Sequence, residues 1–336
     1  MFITNSLVEA AKLEVFKITL NHNKEKVTDS NFRDFLKGKF DPKNKNLDDK
    51  NLQKKFIEDL SNRLDNKGEY HQIGKNSKKA FSILKTPSYD SKQSFFHGVL
   101  KGGFKGDNKT SSDFKDRSSE NSLNDKVINN KHFFLFYMPL ESNTGFLFFQ
   151  AYPQENVRLE FVNFLGRYIF KLNRDYNKVF VEPYLPKEIK EEFSNGSTVS
   201  QITFTDRVLS SNLSGSNSFT NASSHYRIKV IVEPTGDGNL NLKDFEKKFY
   251  KKIISNSALG KKLKKYTAKG KLKKDGRETP FKIGGTDEIL PLIQLGDDYL
   301  DKNKNPDFKK LKNYCINLIE TIKSDFYDKS KTKLID

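Results

Sequence analysis

Two phenylalanine-rich runs near the middle of the chain constrain its fold more than any other feature. They extend from His132 to Leu140 and from Gly145 to Tyr152, and only the polar segment Glu141-Ser-Asn-Thr144 separates them. Short apolar runs bounded by turn residues are typical of buried strands, and a connection of this length joins antiparallel neighbours. The sequence therefore predicts a β-hairpin at this point, and with it an antiparallel sheet.

Further strands are predicted on both sides of this hairpin. Residues 13–20 largely alternate apolar and polar side chains, which is the period of a half-buried strand. Short apolar runs of the same kind predict strands at 80–84, 95–100, 179–183, 199–204 and 226–232.

Helices are predicted where apolar residues recur at helical spacing. Leu52, Phe56, Leu60 and Leu64 lie four apart on one face of a segment that begins near Asp48. Similar spacing predicts helices around Phe32 to Leu36, at 156–172 with Asn156 as its N-cap, at 242–254 and at 307–327. The last helix carries an apolar stripe that must cover a core or a second subunit, and the stripe consists of Leu311, Tyr314, Leu318, Ile322 and Phe326.

These elements indicate an α+β chain of two domains, since 336 residues exceed what one compact core usually holds. We expect an N-terminal domain at 1–195 and a basic domain at 196–336 that ends in the long C-terminal helix. Each is expected to be a mainly antiparallel sheet with helices packed on one face. The polar segments 106–131 and 210–224 are predicted to be flexible loops with little structure of their own.

Charge is the strongest functional signal in the sequence. The chain has 60 lysines and arginines against 43 acidic residues, a net charge of +17, which favours polyanionic partners. Segment 243–277 holds most of the excess, with fourteen basic residues and three acidic ones. The basic residues are Lys243, Lys247, Lys248, Lys251, Lys252, Lys261, Lys262, Lys264, Lys265, Lys269, Lys271, Lys273, Lys274 and Arg277.

Lysine is a compact charge suited to phosphate, whereas base reading favours arginine or amides and single-strand binding favours stacked aromatic rings. The lysine-rich segment therefore indicates double-stranded DNA, bound through its backbone with little sequence preference. Two other interpretations stay open. The segment could bind an acidic protein, or its lysines could form a merely solvated basic face.

Motifs for catalysis or metal binding are weak. Cys315 is the only cysteine, the five histidines are scattered, and no serine lies in a GxSxG motif. Gly102-Gly-Phe-Lys-Gly106 lacks the spacing of a phosphate-binding loop and predicts a turn or bulge. We expect no enzymatic activity, metal, cofactor or small-molecule substrate. The rival hypothesis is a magnesium-dependent nuclease that uses Glu160, Glu182 and Asp206, with Lys187 near Glu182.

From Gly145 onward, the order of short sequence matches resembles the RexA phage-exclusion family of bacteriophage lambda. The matches include Gly145-Phe-Leu-Phe-Phe149, Phe161-Val-Asn-Phe-Leu165, Val181-Glu-Pro183, Ile228-Lys-Val-Ile-Val-Glu-Pro234 and Ile322-Lys-Ser-Asp-Phe326. The lysine-rich helix lies between the last two, so the resemblance covers roughly the last 190 residues.

This resemblance implies a sensor of phage exclusion or abortive infection, an antiviral defence. We expect a cytoplasmic protein, because no stretch has the roughly 18 apolar residues that span a bilayer and the N-terminus lacks the charged and apolar regions of a secretory signal. It further implies nonspecific duplex DNA binding, a homodimer, and a membrane ion-channel partner encoded nearby. It places Arg227 and Lys229 with the lysine-rich helix in the DNA-facing half, and it supplies no catalytic residues.

Overall fold

The computed structural model describes most of the chain. The described residues are 11–22, 30–43, 46–72, 77–113, 115–152, 157–169, 173, 175–187, 189–191, 197–209, 225–233, 267–274, 277–283, 292–302 and 305–326. The chain divides into two compact units. The first consists of Met1–Tyr184 with Asp297–Asp336, and the second of Leu185–Gly296.

An antiparallel sheet forms the centre of the first unit. Its strands are β1 (Lys12–His22), β2 (Lys79–Ile83), β3 (Ser88–Asp90), β4 (Phe95–Phe104), β7 (Asn130–Tyr137), β8 (Thr144–Ala151) and β9 (Tyr176–Pro183). They lie in the order β9-β1-β8-β7-β4-β2, with the short strand β3 also paired to β4. The predicted β-hairpin is present as β7 and β8, in which Phe134 opposes Phe149 and Tyr137 opposes Phe146. Both strands are almost wholly buried, which explains why their sequences are continuous apolar runs.

Three helices cover one face of this sheet: α1 (Phe32–Phe40), α2 (Asp49–Asp65) and α3 (Arg158–Phe164). Aromatic rings join the layers, with Phe56 of α2 edge to face against Phe96 and Phe161 of α3 tilted against Phe134. The predicted Asn156 cap lies outside the described residues. Helix α3 begins without a side-chain cap and continues as a π-helical turn over Leu165–Ile169.

The C-terminal helix α4 (Phe308–Phe326) covers the opposite face of the same sheet. Its Phe308 stacks on Phe133 and its Phe326 packs against Phe146, and neighbouring strand residues point to opposite faces. The sheet of the first unit therefore has helices on both faces, where the sequence predicted one. The prediction that the last helix packs back on a core is confirmed for the described residues of α4.

The segment predicted to be a loop at 106–131 contains a second hairpin, of β5 (Thr110–Asp113) and β6 (Asp116–Ser122). The loop prediction was wrong because β5 and β6 consist of polar side chains. Their sequences therefore lack the alternation of apolar and polar residues that indicates a strand. The adjoining Gly102–Gly106 stretch includes the end of strand β4, where a turn or bulge was predicted. A Cβ on Gly103 would lie 2.0 Å from the carbonyl oxygen of Ile128, so this close approach requires glycine.

The second unit contains β10 (Thr198–Leu209), β11 (His225–Val232), β12 (Thr267–Lys274), β13 (Arg277–Ile283) and the short β14 (Ile293–Gln294). The first four form an antiparallel sheet in the order β11-β10-β12-β13. The predicted domain boundary near 195 lies about ten residues beyond the observed division after Tyr184. Helix α4, predicted in the second domain, belongs to the first unit because it packs on that unit's sheet. The predicted loop at 210–224 lies outside the described residues.

Of the helices in the described ranges, none is both long and apolar enough to cross a lipid bilayer.

Candidate nucleic-acid interface

The sheet of the second unit has one apolar face, formed by alternate residues of its strands. Ile202 and Phe204 of β10, Leu272 of β12 and Phe281 of β13 are each at most 2% exposed. Gly270 lies directly opposite Phe281, and a Cβ at this glycine would come within 2.1 Å of the phenylalanine ring. Because successive side chains of a strand alternate between its two faces, the residues between these buried ones point to the other side of the sheet.

Lysines occupy that other side. Lys269, Lys271 and Lys273 alternate with buried Gly270 and Leu272 along β12, so they share one face. Alternate residues of a strand are about 6.6 Å apart, and the three lysines therefore span about 13 Å. Lys269 and Lys273 are exposed, and Lys271 is half-buried.

Strand β11 adds Lys229 to the same face. Thr205 of β10 opposes Lys229, and Thr203 opposes Lys269 on one side and Ile231 on the other. Directly opposed residues in antiparallel strands share a face, so one polar surface crosses the three strands. We call the surface of Lys229, Lys269, Lys271, Lys273, Gln201, Thr203 and Thr205 the basic face.

The backbone register places more basic residues at positions belonging to this face. Arg207 opposes Arg227 in the β10–β11 pair, and Lys282 opposes Lys269 in the β12–β13 pair. Sequence reasoning missed Arg207 and Lys282. The alternation of Thr203, Thr205 and Arg207 with buried Ile202 and Phe204 was the available signal.

Acidic residues adjoin the basic face as well as basic ones. Among the side chains that the structure describes, no carboxylate forms an ion pair with Lys229, Lys269 or Lys273, although the backbone register places Glu278 opposite Lys273. Glu233 accepts a hydrogen bond from Gln201 Nε2 at 2.5 Å. Lysines at this spacing, beside threonine hydroxyls, form a surface suited to a row of phosphates.

The structure brings together only part of the predicted DNA-binding set. Lys229, Lys269, Lys271 and Lys273 lie on the basic face, and Arg227 belongs to it by register. Lys274 alternates to the other face and opposes Arg277 at the end of the β12–β13 pair. The remaining predicted residues lie outside the described residues, and they are Lys243, Lys247, Lys248, Lys251, Lys252, Lys261, Lys262, Lys264 and Lys265.

Two residues of the rival nuclease hypothesis, Glu182 and Lys187, each pair with another side chain. Glu182 forms an ion pair with Lys17 at 2.9 Å, and Lys187 lies 3.9 Å from Glu191. Across the described part of the chain, no three histidine, cysteine or acidic side chains group closely enough to hold a metal ion.

A cleft of about 380 Å³ in the first unit is built around a structural ion cluster. Arg33 donates to both carboxylate oxygens of Asp49, at 2.8 and 2.7 Å, and also to Glu141. The hydrogen bond from Arg33 is the main reason that the pKa of Asp49 is lowered. The cluster joins α1, α2 and the β7–β8 connection, because one guanidinium binds a carboxylate from each of the other two segments.

No protein-family model matches the chain, and no curated protein matches it in sequence. The resemblance to the RexA family therefore stays a prediction.

Proposed function

We propose that this protein binds double-stranded DNA through the phosphate backbone, at the basic face of its second unit. The observation that carries the proposal is the row of Lys269, Lys271 and Lys273 on β12, beside Lys229 and opposite a buried apolar face. Such a row positions cations at the sheet surface before any ligand arrives.

Electrostatics supports a phosphate ligand. Lys269, Lys271 and Lys273 follow one another on one face of β12, so a polyanion bound there would neutralise closely spaced like charges and release its own counterions on binding.

Side-chain chemistry supports recognition without strong sequence preference. The side chains that define the basic face are lysine, threonine and glutamine, and its lysines suit phosphates better than base edges. No aromatic side chain belongs to this described set, so base stacking has no platform there. Duplex backbone therefore fits this surface better than a single strand.

The test is binding of a random-sequence duplex, measured by fluorescence anisotropy with EDTA present. The triple variant Lys229→Glu/Lys269→Glu/Lys273→Glu should bind at least a hundredfold more weakly than wild type, because three contacts become repulsive. The matched control, Lys50→Glu/Lys55→Glu/Lys67→Glu, changes the net charge equally at exposed positions of the first unit. It should retain affinity within about threefold, apart from general electrostatic steering.

An equal loss in both triple variants would show that net charge alone attracts DNA and would overturn the basic face as a site. Cleavage of the duplex when magnesium replaces EDTA would favour the nuclease alternative. If the wild-type protein does not bind DNA but binds an acidic protein, the result would favour the alternative in which the lysine-rich segment binds an acidic protein.

The RexA resemblance adds a wider role to the proposal: a phage-exclusion sensor that acts as a homodimer and signals to a membrane channel. This role rests on the sequence matches alone. Loss of phage exclusion in cells that carry the Lys229/Lys269/Lys273 variant would support it, whereas unchanged exclusion would separate DNA binding from defence.

A further inference from the structure

The cleft of the first unit lies where three parts of that unit meet. It is lined by the beginning of α2, by the turn that joins β3 to β4, and by Lys323 near the end of α4. The buried residues Pro139 and Leu140, which follow β7, line it as well. Its volume of about 380 Å³ is within the range of sites that hold small molecules.

Some of the charged groups at the cleft already have partners within the protein. Arg33 donates to the carboxylates of Asp49 and Glu141. Lys323 donates to Glu320 at 2.8 Å. The groups that remain for a ligand are therefore on other side chains of the lining.

Two lysines at the cleft are among these remaining groups. Lys50 in the first turn of α2 and Lys92 in the β3–β4 turn are both exposed, and among the residues that the structure describes neither ammonium group has a partner. Asp90 fixes the second turn, because its carboxylate accepts from the backbone nitrogens of Lys92 and Gln93 at 3.0 and 3.1 Å. Four basic side chains line the cleft against two acidic ones, and this balance favours an anion.

A nearly buried amide adds a third donor. Gln53 of α2 lines the cleft and is only 2% exposed. The hydroxyl of Tyr89 donates to the side-chain oxygen of Gln53, and burial raises the pKa of Tyr89, which keeps this hydroxyl protonated. Within the described part of the chain, no acceptor binds the amide nitrogen of Gln53. A donor in so buried a position is unfavourable without an acceptor, and an oxygen of a bound ligand would supply one.

We propose that this cleft binds a small phosphate ester, whose phosphate group accepts from Lys50, Lys92 and the amide nitrogen of Gln53. The groups without internal partners are donors, and phosphate oxygens are strong acceptors of charge-assisted hydrogen bonds. Lysine is a compact charge that suits phosphate. The site lies in the first unit and does not depend on duplex binding at the basic face.

The rest of the lining indicates that the organic part of the ligand is a sugar. Ser91, Gln93 and Ser94 line the cleft beside Lys92, and their hydroxyl and amide groups suit the hydroxyl groups of a sugar. Tyr137 is the aromatic residue of the described lining, and only 5% of it is exposed. A nucleobase would therefore find little ring surface on which to stack.

The test is isothermal titration calorimetry of the full chain with ribose 5-phosphate, at an ionic strength held constant with sodium chloride. We expect a dissociation constant on the order of 0.1–1 mM. Ribose without the phosphate should bind at least tenfold more weakly, and inorganic phosphate should compete with ribose 5-phosphate. No binding of either phosphate compound, or equal binding of ribose and ribose 5-phosphate, would overturn the proposal.

Variants of the lining test which groups bind the phosphate. Lys50→Ala/Lys92→Ala should weaken ribose 5-phosphate binding by about tenfold or more, because two charged donors are lost. The matched control is Lys54→Ala/Lys55→Ala, which removes two exposed lysines of the same helix that do not line the cleft and should bind like wild type. Equal losses in the two double variants would overturn the proposal, because they would show that the general charge of this helix is responsible.

A third variant, Gln53→Leu, removes the amide and should weaken binding by about tenfold. Circular dichroism melting establishes that it is folded, and the lysine variants decide the proposal by themselves if it is not. Wild-type affinity in folded Gln53→Leu would show that the phosphate does not reach the amide and would overturn the site as described. The Lys229/Lys269/Lys273 variant should bind ribose 5-phosphate like wild type, so either proposal can fail alone.

Discussion

Replacing Gly270 with alanine tests whether the apolar face of the second unit holds the basic face in place. The new Cβ would lie 2.1 Å from the nearest atom of the Phe281 ring, well inside van der Waals contact. That ring is fully buried, so it must leave its site or push β12 and β13 apart. Removing a buried phenylalanine from a core costs about 3–5 kcal/mol, and we expect about 3 kcal/mol for this substitution.

Hydrogen–deuterium exchange of peptides from β10 to β13 measures this local loss without requiring the two units to unfold together. A loss of about 3 kcal/mol corresponds to exchange roughly a hundredfold faster than in wild type. The matched control is Gly166→Ala, because its added Cβ would meet no atom within 4 Å from another part of the described chain. The double variant Gly270→Ala/Phe281→Leu should recover part of the protection, since the smaller side chain makes room. Exchange within threefold of wild type in Gly270→Ala would refute the packing argument.

Three further predictions concern the first unit. Arg33→Ala should lower the free energy of unfolding by about 1–2 kcal/mol, because it removes charge-assisted hydrogen bonds to Asp49. Arg63 forms a single ion pair with Asp59, four residues earlier on the same helix, so Arg63→Ala should cost less than about 0.5 kcal/mol; urea denaturation followed by circular dichroism compares the two variants. Cys315 is fully buried, which raises the pKa of its thiol, so it should react with a thiol reagent only on unfolding, and rapid labelling of the native protein would contradict this. Burial lowers the pKa of His132 to about 4, so its contribution to stability is present above pH 6.5 and is lost as the pH falls through 4. His132→Gln should therefore flatten this part of a plot of unfolding free energy against pH, and an unchanged slope would show that His132 is not the titrating group.

Local patterns predicted most of the first unit. The continuous phenylalanine runs indicated β7 and β8, the four-residue spacing of apolar side chains indicated α2, and all three elements lie where the sequence predicted them. The hairpin β5–β6 was missed because serine and threonine show no apolar alternation to mark a buried face. The position of α4 was missed for another reason. Its apolar stripe indicates that one face of the helix is buried, but it does not indicate which of the two sheets covers that face.

The candidate site was predicted in part. Charge counting found Lys269, Lys271 and Lys273, but a count does not distinguish them from Lys274, which alternation places on the other face. Their grouping with Lys229 depends on the pairing of β10 with both β11 and β12. These strands are far apart in the sequence, and the residue pattern of one strand does not show which other strand pairs with it.

The salt dependence of duplex binding tests the central claim most directly. The logarithm of the association constant should fall linearly with the logarithm of salt concentration, with a slope of about −0.9 for each phosphate contact. The variant Lys229→Ala/Lys269→Ala/Lys273→Ala should reduce the steepness by about 2.7, because three contacts are lost. A wild-type slope that this variant leaves unchanged would contradict the account, because the basic face would then make no contact with the phosphate backbone.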